Sequence, residues 1–240
     1  MSSTHRTKKD KPNGERWETP LWAVRRVLEE VSLPGGLWLE PCAGNGRIIR
    51  AVEELRPRKC RWHAVELREE CAGRLRQLGI PLTLYCPKDF LKEWNARALA
   101  KKYGVDISSG QRYLDVAITN PPFSIALEVA QKCMAIADHV LILQRSNWTG
   151  GGSNNGKNDF FRSMPPSIFP VPDRIQFLLD GAYPRYPAGT LDGHGKDISG
   201  TLMPGDSIEY SWFYWSPDRV REYGCYRNLA STPLEERKAG

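Results

Sequence analysis

Four consecutive residues carry the most specific chemistry in this 240-residue chain. The apolar run Asp115-Val116-Ala117-Ile118-Thr119 reads as a strand, and it ends in Asn120-Pro121-Pro122-Phe123. Two successive prolines fix the backbone and bring no N–H of their own, so Pro121 would present a rigid carbonyl beside the Asn120 side-chain oxygen. Two acceptors side by side can take both hydrogens of an NH2 group. On a planar ring they would draw the nitrogen lone pair out of conjugation and aim it at an electrophile, while Phe123 stacks on the ring. Asn-Pro-Pro after a strand is also a common loop opening, with the phenylalanine in the core.

A second cluster lies upstream. Leu37–Glu40 runs into Pro41-Cys42-Ala43-Gly44-Asn45-Gly46 and then into a helix, which puts a glycine turn at the carboxyl end of a strand, where open α/β sheets bind nucleotides. Glu66 ends the next strand 20 residues after Gly46, the spacing of a carboxylate that takes ribose hydroxyls. The GxGxxG pattern of dinucleotide sites fails because Ile49 stands at its third glycine. Glu40 would repel a pyrophosphate and suit a ligand with positive charge, such as the ammonium and sulfonium groups of S-adenosylmethionine. The glycines alone are equally those of a strand-to-helix turn with no ligand.

These residues need an α/β frame. Short apolar runs at Leu37–Glu40, Trp62–Glu66, Leu82–Cys86, Leu114–Thr119 and Val140–Gln144 predict strands, and Arg174–Leu179 and Ile208–Trp215 predict two more. Between them, helical spacing marks about Pro20–Val31 with Thr19 able to cap, then Arg47–Leu55, Glu69–Leu78 and Ser124–Ala137, and a short helix at Asn158–Met164. That alternation predicts a Rossmann-like, mostly parallel seven-stranded sheet with helices on both faces. The expected organisation is a flexible basic arm over 1–16, one domain over 17–216, and a polar tail over 217–240 that is loosely attached or disordered. The arm holds five Lys or Arg against two Asp or Glu.

Five segments in order resemble the motifs of class I S-adenosylmethionine-dependent N6-adenine DNA methyltransferases, in the arrangement of the γ type and of small phage adenine methylases. Trp17-Glu18-Thr19-Pro20 resembles the leading cofactor motif, Leu39 to Arg47 the glycine motif, and Ala64-Val65-Glu66-Leu67 the ribose motif. Lys88-Asp89-Phe90-Leu91 is similar to the adenine-binding motif and Asn120–Phe123 to the methyl-transfer motif. The aromatic run Ser207–Trp215 resembles the family's final strand, its alternation marking it as core. The resemblance implies that Thr19 and Gly44 lie near the methionine part of S-adenosyl-L-methionine, with Pro20, Glu40, Pro41, Ala43 and Gly46 also among its binding residues. It puts Glu66 and Leu67 at the ribose and Asp89 and Phe90 at the adenine. Asn120, Pro121, Pro122 and Phe123 would hold a flipped base.

Larger members of that family carry a long recognition domain, for which only about 145–172 and 181–206 are spare here. Arg145, Asn147 and Trp148 leave the fifth strand near the site and are candidate base contacts, a purely structural loop being the other reading. The expected substrate is adenine N6 in DNA. An amino group on RNA adenine or guanine is the alternative, and protein glutamine a third, disfavoured because that chemistry prefers tyrosine where Phe123 stands. A binding module that has lost its chemistry would show damaged cofactor motifs, and these are intact.

A net charge of +6 favours an anionic partner through counterion release, although it also serves solubility. The six cysteines are scattered singly and read as reduced, and His194 lies in a solvated loop without a second ligand at metal spacing, so no metal is expected. No apolar run reaches the ~20 residues of a membrane span, which predicts a soluble, cytoplasmic protein.

Overall fold

The computed structural model describes residues 17–104, 106, 111–150, 156–179, 181–203, 208–217, 225–227 and 229–238. The basic arm over 1–16 therefore lies outside the described residues, as do 151–155 and 204–206 of the spare loops, Ser207 of the aromatic run, and 218–224, 228, 239 and 240 of the tail.

In chain order the elements are β1 (Trp17–Glu18), α1 (Leu21–Glu30), β2 (Gly36–Glu40), α2 (Arg47–Leu55), β3 (Cys60–Val65), α3 (Ala72–Arg76) and β4 (Leu82–Tyr85). There follow α4 (Ala96–Lys102), β5 (Leu114–Thr119), α5 (Ala126–Ile136), β6 (Ala137–Arg145), α6 (Lys157–Ser163), β7 (Ser167–Pro170), β8 (Leu178–Leu179), β9 (Tyr210–Trp215) and α7 (Leu234–Lys238). Seven strands form one sheet in the order β4-β3-β2-β5-β6-β9-β7. From β4 to β6 all pairings are parallel, whereas β9 runs antiparallel to both β6 and β7. The frame is the expected Rossmann-like one.

Period-two alternation drives both faces of the central strands into cores. Trp38 of β2, Val116 and Ile118 of β5, and Trp212 of β9 pack on one side with Val24 and Val27 of α1 and Ile49 and Val52 of α2. Leu39, Ala117, Ile142 and Phe213 pack on the other with Val129, Ala130 and Cys133 of α5. Strands buried on both faces are what a parallel sheet with crossover helices requires. Among the described residues no helix is long and apolar enough to cross a membrane.

Three expectations are corrected. The segment 174–179 is not a strand of the main sheet. Only Leu178–Leu179 is extended, and it pairs with Trp17–Glu18 in a separate two-stranded sheet. The seventh main strand is instead β7, inside the supposed loop 145–172 and flanked by Pro165, Pro166 and Pro172; proline is tolerated there because the strand sits at the sheet edge.

Over its described residues, the polar tail is not loosely attached. The Ile168 amide donates to the Cys225 carbonyl, and the amides of Arg227 and Leu229 donate to the carbonyls of Ile168 and Pro170, so residues 225–227 and Leu229 lie along the β7 edge. Leu229 and Thr232 are buried. Finally, Thr19 does not cap α1; Pro20 occupies the cap position without a side-chain hydrogen bond, and Thr19 serves the site described next.

Candidate active site

The chain leaves β2 toward β3 and β4 on one side, then returns to place β5 on the other. Strand order therefore reverses between β2 and β5, whose carboxyl ends open the crevice where such sheets bind ligands. The glycine turn after β2 lines one wall. Gly46 is left-handed at φ 79°, a conformation L side chains rarely adopt, and a Cβ there would press on the Leu78 side chain at 2.8 Å. The Glu66 carboxylate closes the turn: Oε2 accepts from the Gly44 amide at 2.6 Å, and Oε1 accepts from the Arg68 amide at 2.9 Å and Arg68 Nε at 3.0 Å. Leu67, the next residue, is 62% exposed, an apolar surface beside the carboxylate.

Two further carboxyl groups lie under the same turn. Glu18 is buried and accepts a hydrogen bond from Asn45 Nδ2 through Oε1, while its Oε2 is buried without a partner. Glu40 is 2% exposed and accepts from the Ile49 backbone, again leaving Oε2 without a partner. Burial first, and Glu66 second, push the Glu40 carboxyl well above the usual carboxylate range. Two orphaned buried oxygens are atoms that a cationic, amino-bearing ligand at the turn would complete. Pro41 and Ala43 are buried within the turn, and Thr19 and Pro20 are buried next to Glu18.

The crevice continues past β4. Asp89 Oδ1 accepts from the amides of Leu91 at 2.8 Å and Lys92 at 3.2 Å, so one carboxylate oxygen holds the turn and Oδ2 is left toward Lys92 at 3.8 Å. Phe90 is buried, its ring tilted on Trp94. Lys132 of α5 lies 4.7 Å from the Phe90 ring centroid and donates to the carbonyls of Phe90, Leu91 and Trp94. This clamp was not visible in the sequence, where Lys132 is one polar residue on an amphipathic helix.

The methyl-transfer motif candidates stand at the end of β5. Asn120 Nδ2 donates to Thr19 Oγ1 at 3.1 Å, which leaves Oδ1 as the acceptor of that amide. The Pro121 carbonyl is not free of donors, as its sequence suggests: Gln144 Nε2 of β6 donates to it at 3.2 Å from a buried position. A carbonyl has two lone pairs, so one stays available while Gln144 fixes the other. Pro122 is half-buried and extended before the turn Phe123–Ile125. Phe123 is half-buried, with the Tyr210 ring 6.1 Å away at 30° and the Arg145 guanidinium carbon 4.6 Å from its centroid.

The three candidate base contacts separate. Arg145 is exposed and lies over Phe123, and Asn147 is exposed in the following turn. Trp148 is turned into the core, edge-on to Phe161 and Phe213 with centroids 5.0 Å from each, which removes it from any base-reading role. Its neighbours come from α6 and β9, which no local pattern could announce. His194 is exposed, and among the described residues no three His, Cys, Asp or Glu side chains are grouped so as to hold a metal ion.

No family model matches the chain, and no curated protein matches it in sequence. Solved structures match its fold. The methyltransferase subunit of a type I restriction-modification system from Streptococcus thermophilus aligns with a TM-score of 0.54 at 10% identity, over 94% of this chain and 53% of that one. An S-adenosylmethionine-dependent O-methyltransferase from Thermotoga maritima aligns at 0.44 and 11% identity, over 84% and 66% of the two chains. TrmN from Thermus thermophilus aligns at 0.40 and 15% identity, over 81% and 47%. The chain thus spans about half the length of the Streptococcus and Thermus proteins. The Streptococcus alignment shows that the chain shares the fold of that methyltransferase subunit.

Proposed function

We propose that this chain is an S-adenosylmethionine-dependent methyltransferase acting on an exocyclic amino group of a nucleic-acid base, with N6 of adenine in DNA as its target. The observation that carries the reading is the Asn120 amide: its nitrogen donates to Thr19 Oγ1, which leaves its oxygen as an acceptor, next in the chain to the Pro121 carbonyl.

The residues of the crevice fit the cofactor. Glu18 and Glu40, with Gly44 and Gly46, would receive the amino-acid portion, Glu66 with Leu67 the ribose, and Asp89 with Phe90 the adenine. When bound, S-adenosylmethionine supplies an electrophilic methyl group. Asn120 Oδ1 and the open lone pair of Pro121 O would accept the two amino hydrogens of the base and so localise the nitrogen lone pair for attack on that methyl, with S-adenosylhomocysteine as the leaving group and one amino proton released to solvent. Gln144 keeps the Pro121 carbonyl from turning, and Phe123 holds the base plane.

Incubation with labelled cofactor and separate DNA, RNA and protein pools, followed by nucleoside analysis, tests the substrate class. Label in 6-methyladenine of DNA is the expected result; label in RNA base amino groups or in glutamine would move the assignment. Asn120→Ala is expected to cut turnover by about a hundredfold or more with cofactor affinity nearly unchanged, because one preorganised polar contact to a transition state is worth ~3–4 kcal/mol. Near-normal formation of 6-methyladenine by that variant would overturn the role given to the acceptor pair.

A further inference from the structure

Phe123 is not bare. Arg145 ends β6, its side chain is exposed, and its guanidinium lies on the Phe123 ring. Tyr210, its partner across the β6–β9 ladder, is the ring's other neighbour and is 3% exposed. Of the two residues, Arg145 is exposed and Tyr210 is buried, so the neighbour of Phe123 on the solvent side is Arg145. Among the described residues no carboxylate pairs with that guanidinium. Gln144 precedes Arg145 in the same strand and holds Pro121, so β6 delivers one residue to the carbonyl and the next to the ring.

A guanidinium and a nucleobase are both flat, and both stack on aromatic rings, so they compete for the same surface. We propose that Arg145 is a placeholder for the target base: the incoming base displaces it from Phe123, and the released guanidinium then pairs with a phosphodiester of the strand that supplied the base. The proposal rests on the reading of Phe123 as the base platform. It assigns Arg145 two opposed effects, competition with the base and attraction of its backbone, and a purely structural arginine would have neither.

The opposition makes the test. Binding is measured on protein saturated with S-adenosylhomocysteine, using adenosine as a base without phosphate and a single-stranded DNA 12-mer containing one adenine. Arg145→Ala is expected to bind adenosine about two- to fivefold tighter, since an exposed cation–π contact no longer competes. The same variant is expected to bind the 12-mer more weakly, with the slope of log affinity against log salt reduced by about 0.7, one phosphate contact on a single strand. Arg145→Lys should keep the slope.

Weaker adenosine binding by Arg145→Ala would overturn the proposal, because the guanidinium would then be one side of a sandwich that grips the base. An unchanged salt slope would overturn its phosphate half. Phe123→Ala separates these outcomes from failure of the underlying reading: if it abolishes adenosine binding, base stacking stands whatever Arg145 does. If it changes nothing, or if no variant binds adenosine at all, the base platform and the placeholder fall together.

Discussion

At the scale of single residues, the carboxyl groups beneath the glycine turn are the most unusual feature, because burial makes charge costly there and ligand binding would restore it. Glu40 is held well above the usual carboxylate range by burial and by Glu66, so it is biased to its neutral form without ligand. A cation arriving at the turn favours the ionised form and draws the group back down. In the pH range where Glu40 titrates, binding of S-adenosylmethionine is therefore expected to release protons, and S-adenosylhomocysteine, which lacks the sulfonium charge, to release fewer. Calorimetry in two buffers of different ionisation enthalpy measures this. Equal apparent enthalpies in both buffers, or a release that persists in Glu40→Gln, would contradict the role given to this group. Glu40 and Gly46 were legible as a turn and a carboxylate, but the depth at which Glu40 lies was not, since it is set by α2 closing over it.

Among elements, the two flanks of β3 and β4 carry the testable interactions. His63 of β3 is 1% exposed, with Nε2 3.1 Å from the Tyr103 hydroxyl and Nδ1 3.3 Å from that of Tyr85. Burial, with Lys102 and Arg61 nearby, pushes its pKa down from 6.5 to about 4. The folded state thus binds fewer protons than the unfolded one between those values, so stability is full above pH 6.5 and falls as pH drops toward 4, by about 3 kcal/mol at most. Urea titrations across that window should show the decline, and His63→Asn should flatten it; an unchanged slope would assign the acid sensitivity to other groups. Lys132 acts between α5 and the 89–94 turn. Lys132→Met removes the donors to three carbonyls and should weaken cofactor affinity by about tenfold or more, a charged donor being worth ~1.5–3 kcal/mol, while adenosine binding at Phe123 is unaffected. Loss of both affinities together would mean that the clamp serves the whole fold and not the adenine side of the crevice.

For the whole molecule, the carboxyl-terminal segment matters more than its composition suggests. It covers the β7 edge, buries Leu229, and joins α1 through Arg26, which donates to Thr232 Oγ1 at 3.1 Å and pairs with Glu236 at 2.6 Å. Arg237 pairs with Asp173 at 3.2 Å, tying the same segment to the stretch after β7. Ending the chain before residue 225 exposes that edge and forfeits the burial of Leu229, by itself ~2 kcal/mol. The truncated protein is expected to melt several degrees lower and to associate more readily, as differential scanning fluorimetry and light scattering would show. An unshifted melting temperature would mean the segment lies on a core already complete without it.

What is local could be read along the chain. Period-two runs and helical repeats set β2 to β6 and α1, α2 and α5, and the consecutive residues of the glycine turn and of Asn120–Phe123 announced a crevice at two strand ends. Such signals survive because alternation along a strand and spacing around a helix are fixed by backbone geometry alone. Tertiary structure decided what depends on distant partners. Thr19, 101 residues away, orients the Asn120 amide; Gln144 takes one lone pair of Pro121; Arg145 covers Phe123; and Trp148 is drawn into the core by Phe161 and Phe213. The same holds at the sheet edge, where proline-flanked β7 and not the more strand-like 174–179 takes the last place. A chain's local pattern fixes which way a backbone runs, but where a polar side chain points follows from the hydrogen-bond partner it meets only once the elements are packed.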